Sequence, residues 1–115
     1  MKISYAITVC NEFVEIQRLI GFLLENKRDE DEIVVLYDSV NGDSEVEAFL
    51  RSRSVNLDFM WHSGEFNNHF AEWKNKLSTL CSGDYIFQID ADEIPNDLLI
   101  ERLPELLKSN QHNEV

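Results

Sequence analysis

The sequence predicts an α/β fold, a parallel sheet with helices on both faces, and three observations carry that prediction. Short β-forming runs alternate with segments of helical periodicity along the chain. The runs Ile3 to Val9, Ile33 to Tyr37 and Tyr85 to Ile89 are nearly continuous in apolar residues, the pattern of strands covered on both faces. Polar and acidic residues follow these runs directly, and a parallel sheet gathers its strand ends on one side.

The first strand, Ile3 to Val9, runs into Thr8-Val9-Cys10-Asn11-Glu12. Asn11 is the expected cap of a helix in which Phe13, Ile16, Leu19, Ile20, Leu23 and Leu24 recur at helical spacing up to Asn26. The second strand, Ile33 to Tyr37, stops at Asp38. Its sequel, Ser39 to Asp43, has turn chemistry: Asn41-Gly42 suits a positive φ, and Asp43 is placed to cap a short helix bearing Val46, Phe49 and Leu50. A weaker third strand is expected from about Val55 to Trp61, then a polar loop from His62 to Asn68. Asn68 is the expected cap of the next helix, whose apolar face carries Phe70, Trp73, Leu77 and Leu80 and whose stop is Gly83. The fourth strand, Tyr85 to Ile89, delivers Asp90, Asp92 and Glu93. Beyond Ile94 to Asp97 a leucine-rich helix is expected, with Pro104 breaking or restarting it. Right-handed crossovers then give a Rossmann-like strand order of 3-2-1-4, with the switch point between the first and fourth strands.

Composition narrows the function classes. The chain has 115 residues, enough for one domain, with 43% hydrophobic and 10% aromatic residues, so it folds. Its 22 acidic residues against 10 basic ones give a net charge of -12 without a basic stripe, which argues against nucleic acid as a partner. Cys10 and Cys81 lack CxxC or histidine company, so neither zinc nor a disulfide framework is indicated. No apolar run reaches the roughly 18 residues of a membrane span, and a cytoplasmic location is expected, with peripheral association at the inner face of the membrane as its variant. GxGxxG and GxxxxGK[ST] are both missing, which removes the main support for dinucleotide oxidoreductases and P-loop NTPases.

What the chain does offer is acid at strand ends. Thr8 and Glu12 follow the first strand, Asp38 the second, and Asp90 and Asp92 the fourth, and the proposed order brings all three ends to one crevice. Asp90 and Asp92 point the same way if the chain stays extended. No Lys or Arg lies between Lys76 and Arg102, so a divalent cation is their natural partner.

Read together, these segments resemble the N-terminal, nucleotide-sugar-binding half of the family 2 glycosyltransferases of GT-A fold. Thr8-Val9-Cys10-Asn11-Glu12 is similar to that family's opening segment, which often ends in Tyr-Asn-Glu, with Cys10 in place of the Tyr. Glu32 to Ser39 is similar to its second strand, commonly closed by two aspartates, of which Asp38 is present here. Phe70 to Leu77, running through Ser82-Gly83-Asp84 into Gln88-Ile89-Asp90-Ala91-Asp92-Glu93, resembles the basic-Asn helix, Gly-Asp turn and DxD motif of bacterial members that build lipopolysaccharide cores and related glycans. The resemblance covers residues 3 to about 107 and implies a nucleotide-diphospho-sugar-binding domain over 1–108 with a polar tail over 109–115.

The resemblance implies roles residue by residue. Asp38 contacts the base, with Thr8 and Glu12 lining the same pocket; Asp90 faces the ribose or donor sugar; Asp92 and Asp90 hold Mn2+ or Mg2+ at the diphosphate; Lys74 lies near the nucleotide and Asn75 supports the loop. The implied partners are a nucleotide-diphosphate sugar and a saccharide or lipid-linked acceptor, and transfer is inverting. The family's general base is an aspartate downstream of the segment matched here, so the catalytic residue is unknown and the segment alone is expected not to turn over. Blander readings stand beside these. His62, His69 and Lys74 suit a solvated surface, Phe70 and Trp73 a core rather than a stacking surface shared with Trp61 and Phe66, and Glu93 the start of a helix. A non-catalytic binding module, or less favourably a metal-dependent nucleotidyltransferase, remains the alternative to a transferase.

Overall fold

The computed structural model describes residues 1–55, 59–93, 100 and 102–107. Its elements are β1 (Ile3–Val9), α1 (Phe13–Asn26), β2 (Glu32–Asp38), α2 (Ser44–Arg53), β3 (Met60–Gly64), α3 (Phe70–Thr79) and β4 (Tyr85–Asp90). The strands form one all-parallel sheet of order β3-β2-β1-β4, the predicted Rossmann-like arrangement.

Two cores separate the faces. Tyr5, Ile7, Val35 and Tyr37 pack with Ile16, Leu19 and Leu23 of α1 and Val46 and Leu50 of α2. Ala6, Val34 and Leu36 point the other way and meet Trp73 and Leu77 of α3. The alternation along β1 and β2 is the strand period of two, and because both faces are covered both sets must be apolar. The chain steps β1 to β2 to β3 in one direction and then returns to β4 beyond β1. That reversal carries α3 to the opposite face and opens the crevice between β1 and β4.

Several elements differ from expectation, each for a local reason. The third strand is Met60–Gly64 rather than Val55 to Trp61, and residues 56–58 lie outside the described part. Its register, Val34 opposite Met60 through Asp38 opposite Gly64, is set by pairing to β2, and an edge strand of sequence MWHSG has no apolar pattern to announce it. β4 is the other edge and is only partly covered: Phe87 packs on the first core and Ile86 on the second, both half-buried, while Tyr85 and Gln88 are exposed and only Ile89 is buried. The helix caps are Glu12 and His69 rather than Asn11 and Asn68, and Asp43 caps α2 as expected but without a side-chain bond. Asn68 instead takes the left-handed conformation, φ 67°, a turn state Asn tolerates better than most residues. Phe70, expected in the core, is 71% exposed.

Two glycines serve close approach rather than positive φ, since no glycine has positive φ among the described residues. A Cβ on Gly83 would lie 2.5 Å from Ser4 Oγ, and one on Gly42 2.3 Å from the Asp38 carbonyl oxygen. α3 closes at Leu80, before Gly83 is reached. Residues 102–107 are helical on both sides of Pro104, which therefore does not break the helix there, and Ile100 and Leu103 join the first core. The approach to that helix at 94–99 and the tail at 108–115 lie outside the described residues.

The amino ends of the strands are tied by charge. Arg28 grips Asp31 through Nε at 3.0 Å and Nη2 at 2.9 Å, and Asp31 also accepts the Ile3 N–H at 2.9 Å. Glu32 accepts from the Ser82 amide at 2.7 Å and pairs with Lys2 at 3.4 Å. Burial would raise the Glu32 carboxyl, but Ser4, Ser82 and Lys2 together hold it below the usual carboxylate range. The Tyr5 hydroxyl, in the field of Asp31 and Arg28, is buried without a hydrogen-bond partner among the described residues. The acidic side chains at the carboxyl ends, in contrast, face an open cleft.

Candidate functional site

The cleft lies over the carboxyl ends of β1, β2 and β4 and has a volume of about 430 Å³. Thr8, Glu12, Asp38, Lys74, Asp90 and Asp92, the residues singled out from the sequence, all line it. Cys10, Asn41, Phe66, Phe70 and Trp73 line it too.

Between β1 and β4 the register pairs Thr8 with Asp90. Thr8 Oγ1 donates to Asp90 Oδ1 at 3.1 Å, and Lys74 Nζ, reaching across from α3, donates to the same oxygen at 2.9 Å. The Lys74 ammonium, opposed only in part by burial, holds the Asp90 carboxyl below the usual carboxylate range. Local sequence suggested that the acidic cluster had no basic neighbour; tertiary packing supplies one from α3. The turn after β4 closes on itself, since the Asp90 N–H donates to Glu93 Oε1 at 2.9 Å and the Glu93 N–H to the Asp90 carbonyl at 2.9 Å. The Ala91 N–H continues the ladder to Thr8 O at 3.1 Å and its methyl is buried. The chain therefore does not stay extended through Asp92, as a common direction for the two aspartates required; both are nonetheless exposed, and Asp92 has no cation paired to it among the described residues.

At the end of β2, Asp38 is 5% exposed. Its Oδ1 accepts the Val40 N–H at 2.9 Å and the Asn41 N–H at 3.3 Å, and its Oδ2 accepts Asn41 Nδ2 at 2.9 Å. Burial alone would raise this carboxyl, but the Asn41 side chain and the amides of Val40, Asn41 and Phe66 outweigh it and hold the group low. Glu12 folds back at the start of α1 and accepts the Cys10 N–H at 2.8 Å. Burial, then the charges of Asp38 and Glu12, push the Cys10 thiol up to about 11, so the thiol stays protonated at neutral pH.

The aromatic residues divide. Phe66 stacks obliquely between Phe70 and Trp73, with ring centroids 5.0 and 5.5 Å away, and together they wall the cleft. Trp61 is not part of it: it packs against the α1 and α2 face under the Arg51 guanidinium, 5.5 Å from its ring centre. His69 belongs to a smaller hollow of about 200 Å³ beside the cleft, with Glu65, Glu72 and Lys76, and His62 is exposed on β3. The exposure of Phe70 escaped sequence reasoning because helical spacing alone does not distinguish the buried from the open side of α3. Asn41 looked like turn chemistry and nothing more.

No group of three or more His, Cys, Asp or Glu side chains converges among the described residues. A divalent cation is nonetheless compatible with the carboxylates present. Mg2+ is typically held by one or two carboxylates, with substrate phosphates and water supplying its other oxygens, and Asp92 with the second oxygen of Asp90 offers that donor set. No helix among the described residues is long and apolar enough to cross a membrane.

Fold and cleft thus define an α/β domain with an acid-lined cleft at its topological switch point. The chain belongs to glycosyl transferase family 2, whose family model matches residues 4–115. Among solved structures, it is similar to Staphylococcus aureus TarS 1-349, with a TM-score of 0.80 and 18% identity over 96% of this chain and 33% of that one. Against TarS 1-349 in complex with UDP the values are 0.75 and 19%, over 97% and 32%. Against S. aureus TarS they are 0.79 and 18%, over 96% and 20%. The chain therefore spans about a third or less of each of these three solved structures. Comparison with curated proteins gives no match.

Proposed function

We propose that this chain is the donor half of a glycosyltransferase, binding a nucleotide-diphosphate sugar in the cleft for inverting transfer to an acceptor hydroxyl in cell-surface glycan synthesis. The observation that carries the reading is that Thr8, Glu12, Asp38, Lys74, Asp90 and Asp92, from β1, the start of α1, β2, α3 and the β4 turn, line one cavity. The solved complex of TarS with UDP supports a nucleoside diphosphate as the ligand class.

In this reading Asp38, Thr8 and Glu12 form the base end, Asp90 faces the ribose or donor sugar, and Phe66 and Phe70 offer ring faces on which a base or sugar packs. Asp90, Lys74 and Asp92 form the diphosphate end. A net charge of -12 makes unassisted binding of a diphosphate unfavourable, so Lys74 and a Mn2+ or Mg2+ ion at Asp92 and Asp90 offset it. When bound, that ion supplies positive charge beside the leaving phosphate. Transfer itself breaks the anomeric carbon–oxygen bond as the acceptor oxygen forms a new one. The electron pair leaves on the nucleoside diphosphate, and the hydroxyl proton passes to a general base. The domain proposed for this donor function is 1–108.

Calorimetry with UDP and GDP, with and without Mn2+, tests the reading. Metal-dependent binding that is lost in Asp92→Asn is the expected result. Equal affinity in EDTA, or an Asp92→Asn variant that binds as well as the parent, would defeat it.

A further inference from the structure

We propose that Asn41 is the side chain that reads the base of the nucleotide and that Asp38 acts through it, as a positioning residue; this rests on the donor-site reading above. Asp38 is almost wholly buried, and its two oxygens already accept from Val40, Asn41 and, weakly, the Cys10 thiol at 3.8 Å. A carboxylate so committed has little capacity left for a ligand. Asn41 stands differently: it is exposed and lines the cleft.

The orientation of its amide is fixed by chemistry. Asp38 only accepts, so the atom 2.9 Å from its Oδ2 is the Asn41 NH2, and Oδ1 is the amide atom left for a ligand. No protein donor reaches that oxygen among the described residues. Donation to a carboxylate also polarises the amide and strengthens its oxygen as an acceptor. The loop that carries it is held on several sides. The Gly42 N–H donates to the Asp38 carbonyl at 2.9 Å, the Asp43 N–H to Cys10 O at 3.2 Å, and Tyr37 Oη to Asp43 O at 3.0 Å. Little reordering is needed when a ligand arrives.

An oriented acceptor backed by negative charge selects a ring N–H. Uracil and guanine carry one at neutral pH, whereas the corresponding ring nitrogens of cytosine and adenine are acceptors, and the only base donors near them are exocyclic amino groups displaced from the ring position that Asn41 Oδ1 would face. The chain is therefore expected to prefer UDP or GDP over CDP and ADP.

Calorimetry with UDP, GDP, CDP, ADP and inorganic pyrophosphate in Mn2+, on the parent, Asn41→Ala and Asn41→Asp, decides this. The parent should favour a ring N–H base by about tenfold. Asn41→Ala should erase that preference while pyrophosphate binding stays unchanged. Asn41→Asp keeps the size but removes the NH2 that anchors the group to Asp38, and it too should lose the preference, relative to its own pyrophosphate affinity. A base preference that survives in Asn41→Ala, or a parent indifferent to the base, overturns the role of Asn41 while leaving the donor site standing. A parent that binds neither nucleotides nor pyrophosphate overturns both.

Discussion

Lys74 Nζ lies 2.9 Å from Asp90 Oδ1, so the helix on one face of the sheet reaches over its edge to hold the carboxylate at the end of β4. The pair joins segments sixteen residues apart and leaves the second Asp90 oxygen and all of Asp92 to other partners. Lys74 should matter for diphosphate binding in proportion to its charge. Lys74→Ala is expected to weaken UDP binding by about 1.5–3 kcal/mol, the range for hydrogen bonds to charged groups, with Lys74→Arg recovering part of it. Calorimetry in Mn2+ measures both, and an unchanged Lys74→Ala would confine the residue to a surface ion pair.

Metal dependence should separate the two aspartates. Asp92 has no internal partner among the described residues, so Asp92→Asn should abolish Mn2+-dependent binding without altering thermal stability. Asp90→Asn removes the acceptor of Thr8 and Lys74 and should lower both binding and melting temperature. Differential scanning fluorimetry with and without Mn2+ and UDP reads the difference. Equal melting temperatures for all three proteins would count against this division.

Acid should destabilise the fold in a defined direction. Asp38 and Glu32 both titrate lower in the folded chain than free carboxyls do. Their stabilising contribution is therefore complete above the ordinary carboxylate value of about 4 and is lost as pH falls through their folded values. Relief of the net negative charge acts oppositely, so the diagnostic is a comparison. The gap in urea midpoint between the parent and Asp38→Asn should narrow as pH drops from about 6 to about 3. A gap that widens would contradict the assignment.

Cys10 reports on the cleft directly. With its thiol near 11, alkylation by iodoacetamide should be slow at neutral pH and accelerate towards alkaline pH, and UDP with Mn2+ should protect it. Peptide mapping by mass spectrometry follows the rate. Rapid modification at neutral pH, or no protection at saturating ligand, would argue against a protonated thiol lining the occupied site.

Gly83→Ala tests the packing beneath β4. The added methyl would meet Ser4 Oγ at 2.5 Å and Ser4 N at 2.7 Å, on a strand that pairs on both sides and cannot shift freely. A loss of about 1–3 kcal/mol in urea unfolding is expected, the usual range for overpacking. A neutral substitution would show that the turn relaxes.

The sequence by itself determined the architecture, because the signals involved are local and redundant. β1 and β2 announce themselves by continuous apolar runs, α1 by a full helical stripe, and the alternation of the two types with short connections leaves a parallel sheet as the economical arrangement. It also pointed to the acids at the strand ends, since charge directly after a buried strand has few structural uses. What only the tertiary structure decided depends on neighbours distant in the chain. The bounds of β3 came from its register against β2, the pairing of Asp90 from an α3 lysine, and the outward turn of Phe70 from which side of α3 meets the sheet. The commitment of Asp38 to its own turn, with Asn41 exposed in its place, is equally illegible in sequence. Hydrogen-bond capacity is spent according to three-dimensional proximity and burial, and neither has a period along the chain.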